Sequence, residues 1–347
     1  MSARKPAILF IAAAATSLAM GAEPIYTDPV GFVKMGDPSA GLDDGAGGTI
    51  KAVPANTDVF LCIPLEAELA FSGTIASWDK GSNQITVSGT PGWAANSWTT
   101  DVPYSVIISS GAESGLRGLI TANGDSSVTF TQTTLGDLDN LTVGDSIEIR
   151  KCWTVSTLFA NSNLEDLCEI KTYFRTLKGI NQSTSTSFTY YAGVWYDSFG
   201  PADNAILYPG ELIVFRSTGS GVENLAVFGD VATFNQRNEI IKDIQGEVPE
   251  DKDAEDLHLG TSLPIPRAIG ALDLHAENLD TVSFYNNRVS ATGTKKSVSQ
   301  ILTFYDGNWY DSFGVADSFE VPPGVGFVYR RHQDSTGASL EWNEPAP

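Results

Sequence analysis

The sequence predicts an all-β chain in which a barrel or sandwich is followed by a β-rich part built twice. Three observations lead there. Only 18% of the 347 residues are charged while 10% are aromatic and 33 are glycine, a composition that suits strands and tight turns better than long helices. Short apolar runs recur about every ten residues with turn chemistry between them. A block near residue 190 returns near residue 305.

The chain opens on a targeting signature. Arg4 and Lys5 precede an apolar stretch from Pro6 to Met20, and Ala19, Gly21 and Ala22 offer a cleavage site before Glu23, so residues 1–22 read as a secretory signal peptide. That stretch is shorter than the roughly 20 residues of a membrane span, and no later run is long enough to span one. Removing it takes the net charge from −21 to −23, because it holds two bases and no acid. Such an acidic surface repels phosphate backbones, so nucleic acid and anionic lipid are poor partners.

After the strand Val30 to Met35, residues 36–56 are rich in Gly, Asp, Ala and Pro and read as a flexible loop. Residues 23–150 are expected to form the barrel or sandwich domain. Its strands are Val59–Ile63, Gly73–Trp78, Ile85–Ser88, Tyr104–Ser109, Arg117–Ala122, Val128–Gln132 and Ser146–Arg150, parted by turns such as Asp79-Lys80-Gly81-Ser82-Asn83 and Asn123-Gly124-Asp125. None is followed by a long segment of helical period, which argues against a nucleotide-binding doubly wound sheet.

Residues 151–347 are expected to form the repeated domain. Residues 187–216 laid over 301–330 without gaps match at 15 of 30 positions, and Trp-Tyr-Asp-Ser-Phe-Gly is intact in both. The copies are placed at 151–235 and 265–335. Between them, residues 236–264 read as a solvated loop, since Glu239 to Asp256 hold eight acids against two lysines. Within each copy an aromatic strand turns at Gly193 or Gly307 and returns through Trp195-Tyr196-Asp197 or Trp309-Tyr310-Asp311 as a hairpin. Pro209-Gly210 and Pro323-Gly324 suit type II turns. Arg216 and Arg330 end the next strands and can fork onto a carboxylate, with Asp197/Asp203 and Asp311/Asp317 the nearest partners in sequence, a clasp made once per copy.

The segments Thr27-Asp28-Pro29-Val30-Gly31-Phe32 after the signal, Ile63-Pro64-Leu65, Phe71-Ser72-Gly73-Thr74-Ile75, Asp145 to Ile149, Trp153 to Phe159 and Pro322-Pro323-Gly324 before Arg330-Arg331 resemble a family of secreted bacterial proteins that occur as paralogues and have no characterised activity. The resemblance covers most of the chain after the signal. It implies a bacterial envelope or extracellular setting and no chemistry. The sequence departs from that family's pattern in the Gly/Asp loop before Asp58 and in the acidic insert.

Chemical signatures are sparse. No GxSxG elbow, HExxH, Walker loop or dinucleotide fingerprint is present. His258, His275 and His332 are scattered and no CxxC occurs, which leaves zinc without a ligand set. Of three cysteines, Cys152 and Cys168 are the pair closest in sequence and the expected disulfide in an oxidising compartment, leaving Cys62 over; the alternative is three buried apolar thiols. Calcium has weak candidates in Asp137, Asp139 and Asp145 or in Asp43 and Asp44, without EF-hand spacing. Trp78, Trp93, Trp98, Trp195 and Trp309 are either sugar-stacking platforms or core residues, with Tyr196, Asp197, Tyr310 and Asp311 beside them as ligand-binding candidates. A pair of glycosidase carboxylates needs unlike environments, which matching blocks do not offer. The expectation is an exported, non-catalytic structural or adhesive protein that self-assembles or meets a cell-surface glycan; the rival is a carbohydrate-binding or glycan-cleaving protein that uses the repeated hairpins.

Overall fold

The computed structural model describes residues 30–42, 45, 48–100, 102–173, 179–240, 254–288, 290–332 and 340–346. The fold is all-β. Six strands, Leu69–Asp79, Gln84–Val87, Tyr104–Ile108, Arg117–Asn123, Ser127–Gln132 and Ser146–Lys151, close into an antiparallel barrel. Closure depends on the long first strand. It pairs with Ser146–Lys151 through its first half and with Gln84–Val87 through its second, bending at irregularities between Leu69 and Phe71 and between Ile75 and Ser77. Alternate residues, among them Ile75, Ile85, Val106, Ile120, Val128, Phe130, Ile147 and Ile149, fill the interior.

Six of the seven strands expected for the first domain are in this barrel, and the seventh is not. Asp58–Cys62 pairs instead with Leu212–Arg216 at the margin of a five-stranded sheet. All five of its residues are buried. An unbroken apolar run, without the alternation of the barrel strands, marks a strand covered on both faces.

That strand reveals the extent of the duplication. The first sheet runs Val194–Tyr196, Thr184–Tyr191, Glu169–Tyr173, Leu212–Arg216, Asp58–Cys62. The second runs Gly314–Val315, Asn308–Asp311, Val298–Tyr305, Thr281–Tyr285, Gly326–Arg331, Glu255–Gly260. The order is the same, with one short added strand in the second. Smaller ladders repeat as well: Trp153–Thr154 with Ile206–Leu207 matches Arg267–Ala268 with Glu320–Val321, and Val30–Lys34 with Ala226–Asp230 matches Gln236–Ile240 with Leu340–Glu344. Copy one therefore spans 30–62 and 153–230, and copy two spans 236–344. The barrel sits inside copy one, where copy two has only the loop 261–266.

The acidic stretch is thus the beginning of copy two. Gln236–Ile240 and Glu255–Gly260 are strands, and residues 241–253 lie outside the described residues. Charge counting missed this because Asp256 is buried against Arg330. The loop at 36–56 is also partly fixed: Ala40, Ala52 and Val53 are buried, and Val53 bridges Val222.

The copies meet about a pseudo-twofold axis. Cys62 N donates to Gly324 O and Gly260 N to Gly210 O, both at 3.0 Å. Asp58 N reaches Gly293 O and Asp256 N reaches Gly179 O, both at 3.1 Å. Phe60 stacks on Tyr285 at 3.8 Å, and His258 stacks on Tyr173 at 3.7 Å. Each contact maps onto its mate when the copies are exchanged, as across an isologous dimer interface. At the axis the equivalent residues Cys62 and Gly260 face each other. A Cβ on Gly260 would lie 2.3 Å from that of Cys62, so only one of the two can carry a side chain.

Candidate functional site

The repeated hairpin is built alike in both copies. Its turn takes positive φ at both central residues, Ala192 (51°) and Gly193 (87°), or Asp306 (48°) and Gly307 (84°), as a two-residue hairpin of right-handed strand twist requires. Beyond it, the Asp197 carboxylate accepts from Phe199 N (2.7 Å) and Gly200 N (3.0 Å), and Asp311 accepts from Phe313 N (2.7 Å) and Gly314 N (3.1 Å). Asp203 accepts from Trp195 N at 2.9 Å, and Asp317 from Trp309 N at 2.7 Å. All four carboxylates anchor backbone, which is what a short Asp side chain does in a turn.

The two indoles are core residues. Trp195 is 2% exposed and packs on Tyr190; Trp309 is 3% exposed and packs on Phe304. Their faces are closed to a sugar ring. Strand order puts each hairpin at the margin of its sheet away from the contact between copies, so Asp197 and Asp311 line no shared cleft.

The arginine clasps exist with other partners. Arg216 grips Asp58 with Nε at 2.6 Å and Nη2 at 2.9 Å, and Arg330 grips Asp256 with the same two distances. The expected partners Asp203 and Asp317 hold tryptophan amides instead. Asp58 lies 158 residues before Arg216 and carries no local sequence signal. Each aspartate also crosses the axis, accepting from Lys295 N or Asn181 N, so the clasps bind the copies together.

What the fold leaves unused is aromatic. Phe199 is 96% exposed and Phe313 is 95% exposed, at equivalent positions, with Tyr191 and Tyr305 both exposed nearby. Sequence reading passed over the phenylalanines because the tryptophans beside them are larger. The available signal was an apolar residue between Ser and Gly, in a turn, present twice.

Other candidates resolve as structure. Cys152 and Cys168 do not form the expected disulfide; all three cysteines are free and buried. Burial pushes the Cys152 thiol up to about 11 and also raises Cys62 and Cys168, so none is an activated nucleophile. Asp137 and Asp139 hold Lys80 at 2.7 and 2.6 Å, and Asp145 accepts from Thr142 N. Asp43 and Asp44 lie outside the described residues. Among the described residues no group of three or more His, Cys, Asp or Glu could hold a metal ion. Burial lowers His258 to about 4, leaving a neutral ring stacked on Tyr173. Phe71, Trp93, Trp98 and Tyr104 form an edge-to-face series packed on the barrel core, with Trp78 half-buried against the same core. No helix among the described residues is long and apolar enough to cross a membrane.

Comparison with protein-family models, with curated proteins and with solved structures found no match to this chain.

Proposed function

We propose that this is an exported, non-catalytic structural protein that assembles with further copies of itself through its two phenylalanine loops. One observation carries the reading. Phe199 and Phe313 are almost wholly exposed, contribute nothing to either core, and yet are identical in two copies whose frameworks have diverged. Folding does not require them, so their retention points to a contact outside the molecule. Trp195 and Trp309, Asp197 and Asp311 serve to set that loop.

A second copy is the occupant that fits. The chain presents the same loop at two separated sheet margins, and its own halves already associate copy to copy about an axis. Two like ends on each molecule give linear growth. The net charge, −21 for the full chain and −23 without residues 1–22, opposes growth at low ionic strength, and salt that screens it should favour assembly.

Sedimentation velocity and electron microscopy across a salt series test this. The unsubstituted chain should lengthen with salt. Either Phe199→Ser or Phe313→Ser alone leaves one working end and should stop at dimers, while the double variant stays monomeric. Each substitution should change stability by less than about 0.5 kcal/mol, because the side chain touches so little. A monomer at every salt concentration, or a double variant that assembles normally, refutes the proposal.

A further inference from the structure

A large cavity among the described residues is unrelated to the phenylalanine loops. It is an open groove of about 660 Å³ between the end of the first strand, at Lys34, and the second sheet near Arg288 and Gln300, with Glu320 and the Pro322-Pro323 turn on the far wall. That volume suits a ligand of several rings and far exceeds a small inorganic anion.

Its charge runs against the rest of the molecule. The chain carries twice as many acids as bases, yet among the described residues this groove is lined by two cations, Lys34 and Arg288, and a single carboxylate, Glu320. Arg288 is exposed, and its guanidinium has no partner among the described residues. A fork of donors standing free in such an acidic chain matches a carboxylate. Around it stand side-chain amides, Asn286 and Gln300, and the half-buried ring of Phe319. Amides and a carboxylate that exchange hydrogen bonds with hydroxyls, next to an apolar ring, are the ordinary lining of a sugar site.

The backbone of part of one wall argues against a peptide. Strand Thr281–Tyr285, which supplies part of one wall, is paired on both sides from Thr281 to Phe284 and offers no free ladder there for an added strand, while Val298–Tyr305 is paired on its outer side at Thr303–Tyr305. We propose that the groove binds an acidic oligosaccharide, in which a ring carboxylate meets Arg288 and Lys34 while neighbouring hydroxyls meet Asn286, Gln300 and Glu320.

Isothermal titration of the full chain with trigalacturonic acid tests this, with its neutral methyl ester and triglutamate as comparison ligands. The acid should bind saturably. The ester should bind about ten-fold more weakly or worse, as should the acid to the double variant Lys34→Ala, Arg288→Ala, in line with the loss of a charge-assisted contact. Both replaced side chains are exposed, so the variant should melt where the unsubstituted chain does. The proposal fails if millimolar trigalacturonic acid gives no binding heat, if the ester binds as tightly as the acid, if the double variant binds the acid as tightly as the unsubstituted chain does, or if triglutamate binds as tightly as the acid.

Discussion

The two copies solve the same positions with different chemistry, and the differences follow what each copy must accommodate. At one core position copy one holds Cys168 beside Phe215, an apolar pair. Copy two holds Asp280 and Tyr329 there. Asp280 is fully buried and takes hydrogen bonds from Tyr329 Oη (2.7 Å), His332 N (2.6 Å) and Glu277 N (2.9 Å). At a second position, Asp230 of copy one faces Arg150 of the barrel at 2.6 Å, whereas its equivalent Glu344 is buried with one carboxylate oxygen that has no partner among the described residues. A duplicated scaffold can thus drift only in matched steps: a polar residue persists where its partner changed with it, or where an inserted domain brought one.

The largest expected effect probes the part that copy two lacks. Arg150 is 2% exposed and holds Glu148, Asp230 and the carbonyl of Ala67, joining the barrel to its host. Arg150→Met strands two partly buried carboxylates and should cost about 3–5 kcal/mol, as breaking a buried ion pair does. Chemical denaturation should show it. A loss below about 1 kcal/mol would mean that the buried Arg237–Glu113 pair and the apolar contact of Ile107 with Ala232, Phe234 and Leu263 hold the barrel without it.

An intermediate effect tests the matched steps. Tyr329→Phe removes one buried hydrogen bond to the Asp280 carboxylate and should cost about 1.5–3 kcal/mol, while Asp280→Cys removes all three that this carboxylate accepts and should cost more. Together they recreate the pair in copy one, so the double variant should lose less than the sum of the singles. Strict additivity in this double-mutant cycle would show that the exchange was not coupled.

The most gradual effect, spread over several pH units, is a pH dependence confined to copy two. Burial raises Glu344 to about 7. A carboxyl that binds its proton more tightly when folded destabilises the fold once it ionises, so its contribution falls as pH rises from about 4.5 to about 7. The full loss is at most about 3 kcal/mol at 1.36 kcal/mol per unit. Glu344→Gln should remove that slope and stabilise the protein at pH 8 relative to pH 5. His258, lowered to about 4 by burial, acts in the opposite sense, with stability rising between about 4 and 6.5. Melting curves of the variant across this range separate the two, and an unchanged slope would show that Glu344 is ionised throughout.

The strands of the barrel were legible because their side chains alternate, and the hairpins because identical residues recur in register. The membership of Asp58–Cys62 was not legible, since a strand separated from its neighbours by an inserted barrel leaves no short-range pattern. The same distance hid the Asp58 and Asp256 clasps behind the nearer Asp203 and Asp317. The acids of residues 236–264 misled because composition counts charges without their counterions. Within the repeated hexapeptide the sequence left open whether the tryptophans face solvent or core; the structure buries Trp195 and Trp309 and exposes Phe199 and Phe313, because a large aromatic is as valuable in a core as on a surface.

The barrel leaves and rejoins copy one at adjacent points, where Lys151 N donates to the carbonyl of Glu68. An insert whose two ends touch asks nothing of its host except a gap in a loop. The matching loop of copy two, residues 261–266, carries no insert but is not vacant: Thr261 and Ser262 are buried and Leu263 packs with Ile107 of the barrel, so the second copy closes over the domain that the first one carries.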